Sequence, residues 1–127
     1  MDETQPGTTG MKTRVETPLY QESVMFYTEL MGMAVLDSWN EGDDKGAILG
    51  LGRPGEGEAF LELASADRVR ICEGMSLQFR VSDIAAAAGR LSGRVEFRGP
   101  EKRPWGSTYL YLKDPIGIPI ILYEGDL

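Results

Sequence analysis

Leu49-x-Leu51-x-x-Pro54 recurs sixty-one residues later as Leu110-x-Leu112-x-x-Pro115, and each copy is followed by glycine and then a further apolar stretch. The same order of elements surrounds both copies. Met11–Thr17 has a strand pattern with Thr13 and Val15 on one face. Thr17-Pro18 predicts a helix start, with Thr17 as N-cap and Pro18 in the first helical position. Tyr20, Val24, Tyr27 and Met31 then form one apolar helical stripe, widened by Phe26 and Leu30 and stopped at Gly32. Strands follow at Met33–Asn40, Lys45–Gly52 and Glu58–Ala64, separated by the turn-forming stretches Glu41–Asp44 and Arg53–Gly57. In the second half Met75–Val81 predicts a strand. Ser82 caps a helix carrying Ile84, Ala87, Ala88 and Leu91 on one face, and Arg94–Phe97, Thr108–Lys113 and Ile118–Glu124 predict three more strands. The expected class is α+β: two tandem strand-helix-three-strand modules, about 11–66 and 73–125, in a single domain over 11–127. Hairpin connections within each module argue against a doubly wound parallel sheet. Residues 1–10, polar and rich in Gly, Thr and Pro, are expected to be a mobile tail.

Composition narrows the chemistry. The chain has no histidine, which removes Ser-His-Asp and Cys-His nucleophiles, imidazole acid–base catalysis and His-ligated metals. A net charge of −7 opposes binding to phosphate backbones, so nucleic acid is not an expected partner. No apolar run is long enough to span a membrane, and the first ten residues lack a signal-peptide pattern. Cys72 is the single cysteine, so the expected compartment is the reducing cytoplasm. With Glu73 beside it and no histidine partner, its thiol is expected to be inert.

Three groups of residues, in order and spacing, resemble a known family. They are Ser23-Val-Met-Phe26-Tyr27-x-x-Leu30-Met-Gly32-Met33, then Phe79-Arg-Val81-Ser-Asp83-Ile84, then Trp105-Gly106 with Asp114-Pro115-Ile-Gly117. The resemblance is to the glyoxalase / bleomycin-resistance / extradiol-dioxygenase superfamily, the vicinal-oxygen-chelate fold, over about residues 11–125. It implies a curled mixed sheet around a concave cleft, with the helices on the convex side, and a homodimer whose partner helps complete each cleft. Metal-using members place four His or Glu ligands on the concave strands. Mapped here these positions are Lys12, Glu62, Ser76 and Ile121; an alternative register sets Arg14-Val15 against Arg80-Val81 and moves the first to Gly10. One donor of four remains, so neither a metal nor another cofactor is expected.

Strand alternation extends the candidate site beyond those four. With Ser76 facing the cleft, Gln78 and Arg80 face it too. Glu62 brings Phe60, and Lys12 brings Arg14. Leu110 and Leu112 belong to the core, which turns Tyr109 and Tyr111 to the cleft, and Tyr123 joins Ile121. Trp39 and Trp105, flanked by Asn40 and Gly106, are expected near loops at the cleft mouth. Glu62 is read either as a catalytic carboxylate or as half of an ion pair with Arg14 or Arg80. Three functions fit. One is a metal-free binding module that sequesters an aromatic, apolar or drug-like molecule. The second is a lyase, isomerase or dioxygenase of the same superfamily, with or without metal. The third is an interaction module whose cavity is vestigial. The missing ligands favour the first and lean away from an enzyme.

Overall fold

The structure, a computed structural model, describes residues 7, 10–52, 59–70 and 73–126. The expectations for most of the N-terminal tail, for the Arg53–Gly57 turn and for Cys72 lie outside the described residues.

The elements run β1 (Lys12–Thr17), α1 (Tyr20–Met25), a π-helical turn (Phe26–Leu30), β2 (Ala34–Glu41), β3 (Asp44–Leu51) and β4 (Ala59–Ser65). The second module repeats the order with β5 (Leu77–Arg80), α2 (Ile84–Leu91), β6 (Phe97–Lys102), β7 (Thr108–Lys113) and β8 (Pro119–Glu124). Each module forms its own four-stranded mixed sheet, ordered β1-β4-β3-β2 and β5-β8-β7-β6. In each, the first and last strands pair in parallel and the remaining neighbours are antiparallel. The sequence echo falls on equivalent strands, β3 and β7, and its first leucine, Leu49 or Leu110, is fully buried in each. One apolar core joins the two modules. It takes Leu49, Leu61 and Leu63 from the first sheet, Leu110, Ile120 and Leu122 from the second, and Tyr27 and Leu91 from the helical segments.

Several strand bounds shift by a residue or two, β5 starting at Leu77 and leaving Met75 and Ser76 before it, and three boundaries differ in their hydrogen bonding. Thr17 is not the N-cap of α1: β1 runs through it, its carbonyl accepts from the Ala66 amide at 3.0 Å, and Leu19 stands before the helix. The buried Thr17 hydroxyl instead accepts from the Leu19 amide at 3.0 Å and shares a 2.9 Å hydrogen bond with the Ser23 hydroxyl. Pro18 consequently precedes the first helical residue. Asp83, rather than Ser82, caps α2, because it is the extended residue whose carboxylate accepts from the Ala86 amide at 3.0 Å. β6 begins where a strand over Arg94–Phe97 was expected to end. The Arg94 and Val95 amides both donate to the Leu91 carbonyl, at 3.0 and 3.2 Å, so these residues close the helix instead of opening a strand.

The expected helical stripe is present, but its last part widens. The Thr28 hydroxyl donates to the Val24 carbonyl at 2.7 Å, competing for the acceptor an α-helix would give the Thr28 amide. The Met31 amide reaches back to Phe26 at 3.1 Å, and Phe26 and Tyr27 are both buried. Gly32, at φ 79°, ends the segment as expected.

Candidate functional site

The core-facing residues identify the opposite, open face of each sheet. In the first sheet Ala47 and Leu49 are buried and the Lys45 ammonium lies 4.9 Å from the Tyr20 ring centroid, so this parity faces α1. The ladders then set Lys12 beside Phe60 and Gly50, and Arg14 beside Glu62 and Ile48, on the open face. Trp39 shares this face. It lies in β2 two residues before the strand ends at Glu41, packs over Gly46 and donates from Nε1 to the Asp44 carboxylate at 2.8 Å.

In the second sheet the buried Leu110, Leu112, Ile120 and Leu122 turn Tyr109, Tyr111, Ile121 and Tyr123 to the other side. Two rows cross the sheet there: Gln78, Ile121, Tyr111 and Arg98; then Arg80, Tyr123, Tyr109 and Glu101. The Tyr109 ring meets Tyr111 at 5.9 Å and Tyr123 at 6.3 Å between centroids, and Trp105 approaches it edge-on at 5.6 Å. Trp105 sits on the β6–β7 turn with 60% of its surface exposed. Candidate residues of the two sheets meet along the β1–β5 seam. Arg14 and Ser76 line one cavity of about 210 Å³ there, and Phe60 and Gln78 line another of about 160 Å³.

The charges of the first sheet neutralise one another. Lys12 Nζ donates to Glu62 Oε1 at 2.7 Å and Arg14 Nε to Glu62 Oε2 at 2.9 Å. Arg14 Nη1 also reaches Glu16 at 3.0 Å, and Glu16 takes Arg70 at 3.3 Å. Glu62 therefore pairs with Arg14 and Lys12, while Arg80 lies 3.6 Å from Asp126. The hydrogen bond from Lys12, reinforced by Arg14, holds the Glu62 carboxyl below the usual carboxylate range. A general base working near neutrality needs the opposite shift.

The same geometry tests the fit of a metal. Both Glu62 oxygens already face cations, and the three other mapped positions hold an ammonium, a hydroxyl and an alkyl group. Among the described residues no group of three or more His, Cys, Asp or Glu could hold an ion. This donor set does not fit a divalent metal.

The lowered Glu62 pKa carries a pH signature. Its stabilising contribution is complete above the unfolded carboxyl value of about 4.3 and is lost as pH falls through the folded value. Glu62→Gln should flatten the acid limb of the stability curve below about pH 5, by no more than ~1 kcal/mol because Lys12 and Arg14 are half exposed. Denaturation midpoints across pH 3–7 check this. An acid limb as steep as that of the parent chain would mean the pair is not formed in solution.

Arg98, Glu101 and Arg103, which border the tyrosines, escape the sequence pattern. Simple alternation puts Arg98 and Glu101 on opposite faces, but the register shifts between them. Gly99 and Pro100 together oppose the single residue Leu110, one residue of extra length, and Gly99 takes φ 103°, which suits glycine. The bulge brings both side chains to the tyrosine face. A Gly-Pro pair inside a stretch of polar residues is the one signal in the sequence for it.

Comparison with known proteins supplies the family. A search of curated proteins finds no match to the sequence. The family model described as Glyoxalase/Bleomycin resistance protein/Dioxygenase superfamily matches residues 12–122. Among solved structures, a glyoxalase family protein from Enterococcus faecalis aligns at TM-score 0.74 and 22% identity, over 93% of this chain and 98% of its own. TnmS3, an antibiotic binding protein from Streptomyces sp. CB03234, aligns at 0.71 and 20%, over 96% and 100%. Lactoylglutathione lyase from Agrobacterium tumefaciens aligns at 0.69 and 20%, over 95% and 96%. At such identities the structures share the fold, while the family model covers nearly the whole described chain, and the chain belongs to the Glyoxalase/Bleomycin resistance protein/Dioxygenase superfamily.

Proposed function

We propose that this chain is a metal-free small-molecule-binding protein that sequesters an aromatic or extended apolar ligand on the open face of its second sheet. The supporting observation is the continuous set of rings formed by Trp105, Tyr109, Tyr111 and Tyr123, half-buried or exposed and packed edge to face or tilted against one another. Rigid aromatic side chains supply contact area with little ordering cost on binding. The occupied Glu62 carboxylate weighs against proton-transfer chemistry. An antibiotic binding protein of the same fold gives the reading a precedent.

A thermal-shift screen of planar aromatic compounds should yield stabilising ligands. Tyr111→Ala and Trp105→Ala should each weaken such a ligand at least tenfold, since truncating an aromatic contact in a binding site costs ~1–3 kcal/mol. Unchanged affinity in both variants would place the ligand elsewhere. Elemental analysis should find far less than one equivalent of metal after purification without chelator; a full equivalent retained through dialysis would overturn the metal-free assignment.

The protein is proposed to act in the cytoplasm as a homodimer. β2 is an edge strand with Val35 50% and Leu36 57% exposed, a row of unpaired backbone and apolar surface suited to a second copy. Light scattering at micromolar concentration should report about 28 kDa, twice the 14.0 kDa chain. A monomer would rule out a cleft shared between chains.

A further inference from the structure

We propose that Arg98, Glu101 and Arg103 make the aromatic face of the second sheet selective for planar aromatic anions. This rests on the ligand site proposed above and adds the charge of the ligand.

Glu101 holds the two guanidinium groups, one on each oxygen: Arg98 Nη1 donates to Oε2 at 2.9 Å and Arg103 Nη1 to Oε1 at 2.6 Å. The same guanidiniums lie against the rings, Arg98 at 4.0 Å from the Tyr111 centroid and Arg103 at 5.0 Å from that of Trp105. Tyr109 joins Trp105 to Tyr111. The ring cluster is thus framed at both ends by arginines that Glu101 ties together.

Two cations share one carboxylate, so the triad carries a formal charge of +1 in a chain of net charge −7. Its donors are not exhausted. Each guanidinium has five N–H groups, and Glu101 occupies one nitrogen of each. Arg103 Nε has no acceptor among the described residues but is buried, so the donors open to a ligand are the terminal guanidinium nitrogens. Arg14, by contrast, is already shared between Glu62 and Glu16. A carboxylate or sulfonate on a stacked ring would find free, pre-positioned donors at Arg98 and Arg103. A cationic ring of the same shape would meet like charge.

The test is calorimetric titration at pH 7 with three probes of one shape: naphthalene-2-carboxylate, 2-naphthylmethanol and 2-naphthylmethylammonium. The carboxylate should bind about tenfold tighter than the alcohol and the ammonium most weakly, a charge-assisted hydrogen bond being about twice as strong as a neutral one. The carboxylate-to-alcohol ratio should fall to about two in Arg98→Met combined with Arg103→Met, and should rise in Glu101→Gln, where the triad becomes +2. The Glu101 variant guards against loss of fold, because a merely structural role for Glu101 would lower the ratio or leave it unmoved. Alcohol binding that Tyr111→Ala weakens, with no preference for the carboxylate or an unmoved ratio in the variants, would overturn the charge selectivity and leave the site. Failure of all three probes to bind, or binding that Tyr111→Ala does not affect, would overturn both.

Discussion

Replacing Asp114 by alanine is expected to lower the unfolding free energy by about 3–5 kcal/mol, a large share of what a domain of this size possesses. The carboxylate is buried where the β7–β8 turn meets the first module. Its Oδ1 accepts from the Ile116 and Ile118 amides at 3.0 and 2.8 Å, and its Oδ2 accepts from the Tyr27 hydroxyl at 2.7 Å. Alanine would leave these three donors in an apolar interior without their acceptor. Tyr27→Phe removes one donor and keeps the turn, so its cost should be smaller, about 1–2 kcal/mol. The pair also has an alkaline signature. Burial, and then the neighbouring Asp114 charge, push the Tyr27 hydroxyl well above the ordinary tyrosine range. The neutral form is favoured in the fold, so this contribution is whole below the unfolded value of about 10 and is lost as pH rises past it. Tyr27→Phe should therefore be less sensitive to alkali than the parent chain. Denaturant titration checks the stabilities, and an Asp114→Ala variant within 1 kcal/mol of the parent would show that the junction is hydrated and not sealed.

That junction shows where sequence reasoning reached its limit. Tyr27 sits on the expected helical stripe and Asp114-Pro115-Ile-Gly117 was visible as a turn, but periodicity concerns one element at a time. It says nothing of a bond between residues 87 positions apart. The duplicated modules were legible because their signals are local: alternating Leu49 and Leu51 or Leu110 and Leu112, the stripe from Tyr20 to Met31, and glycine at the stops. Alternation also put Phe60 with Glu62 and Tyr109 with Tyr111 on their respective faces, since side-chain parity follows directly from the strand. It failed at the β6 bulge, where one extra residue reverses parity and brings Glu101 to Arg98. It also could not choose among cationic partners for Glu62. Arg14 and Lys12 came to the carboxylate because β1 pairs with β4, whereas Arg80 belongs to the other sheet. Helix capping was legible to within one residue at Asp83, where two adjacent side chains could each have served.

Gly46→Ala should cost about 1–3 kcal/mol, although alanine is otherwise well suited to the backbone there. The position is in mid-strand without positive φ, so the objection is contact and not conformation. A β-carbon would run into the six-membered ring of Trp39 and come within 2.8 Å of the Leu63 carbonyl oxygen. The indole can leave only by giving up its hydrogen bond to Asp44, and the carbonyl can move only with β4, whose Leu63 side chain is fully buried. Both adjustments cost stability, and the first can be seen directly. In a Trp105→Phe background, which leaves Trp39 as the single tryptophan, Gly46→Ala should shift the selectively excited indole emission to the red and increase its quenching by iodide. Gly50→Ala is the matched comparison. Its new β-carbon would meet chiefly the far end of Leu36, a flexible and exposed side chain that can swing aside. That substitution should stay within about 1 kcal/mol of the parent, since the loss of chain entropy in the unfolded state offsets a small clash. If the two alanines cost the same and the emission does not move, Trp39 is not seated on Gly46, and the open face of the first sheet is built differently from the arrangement described.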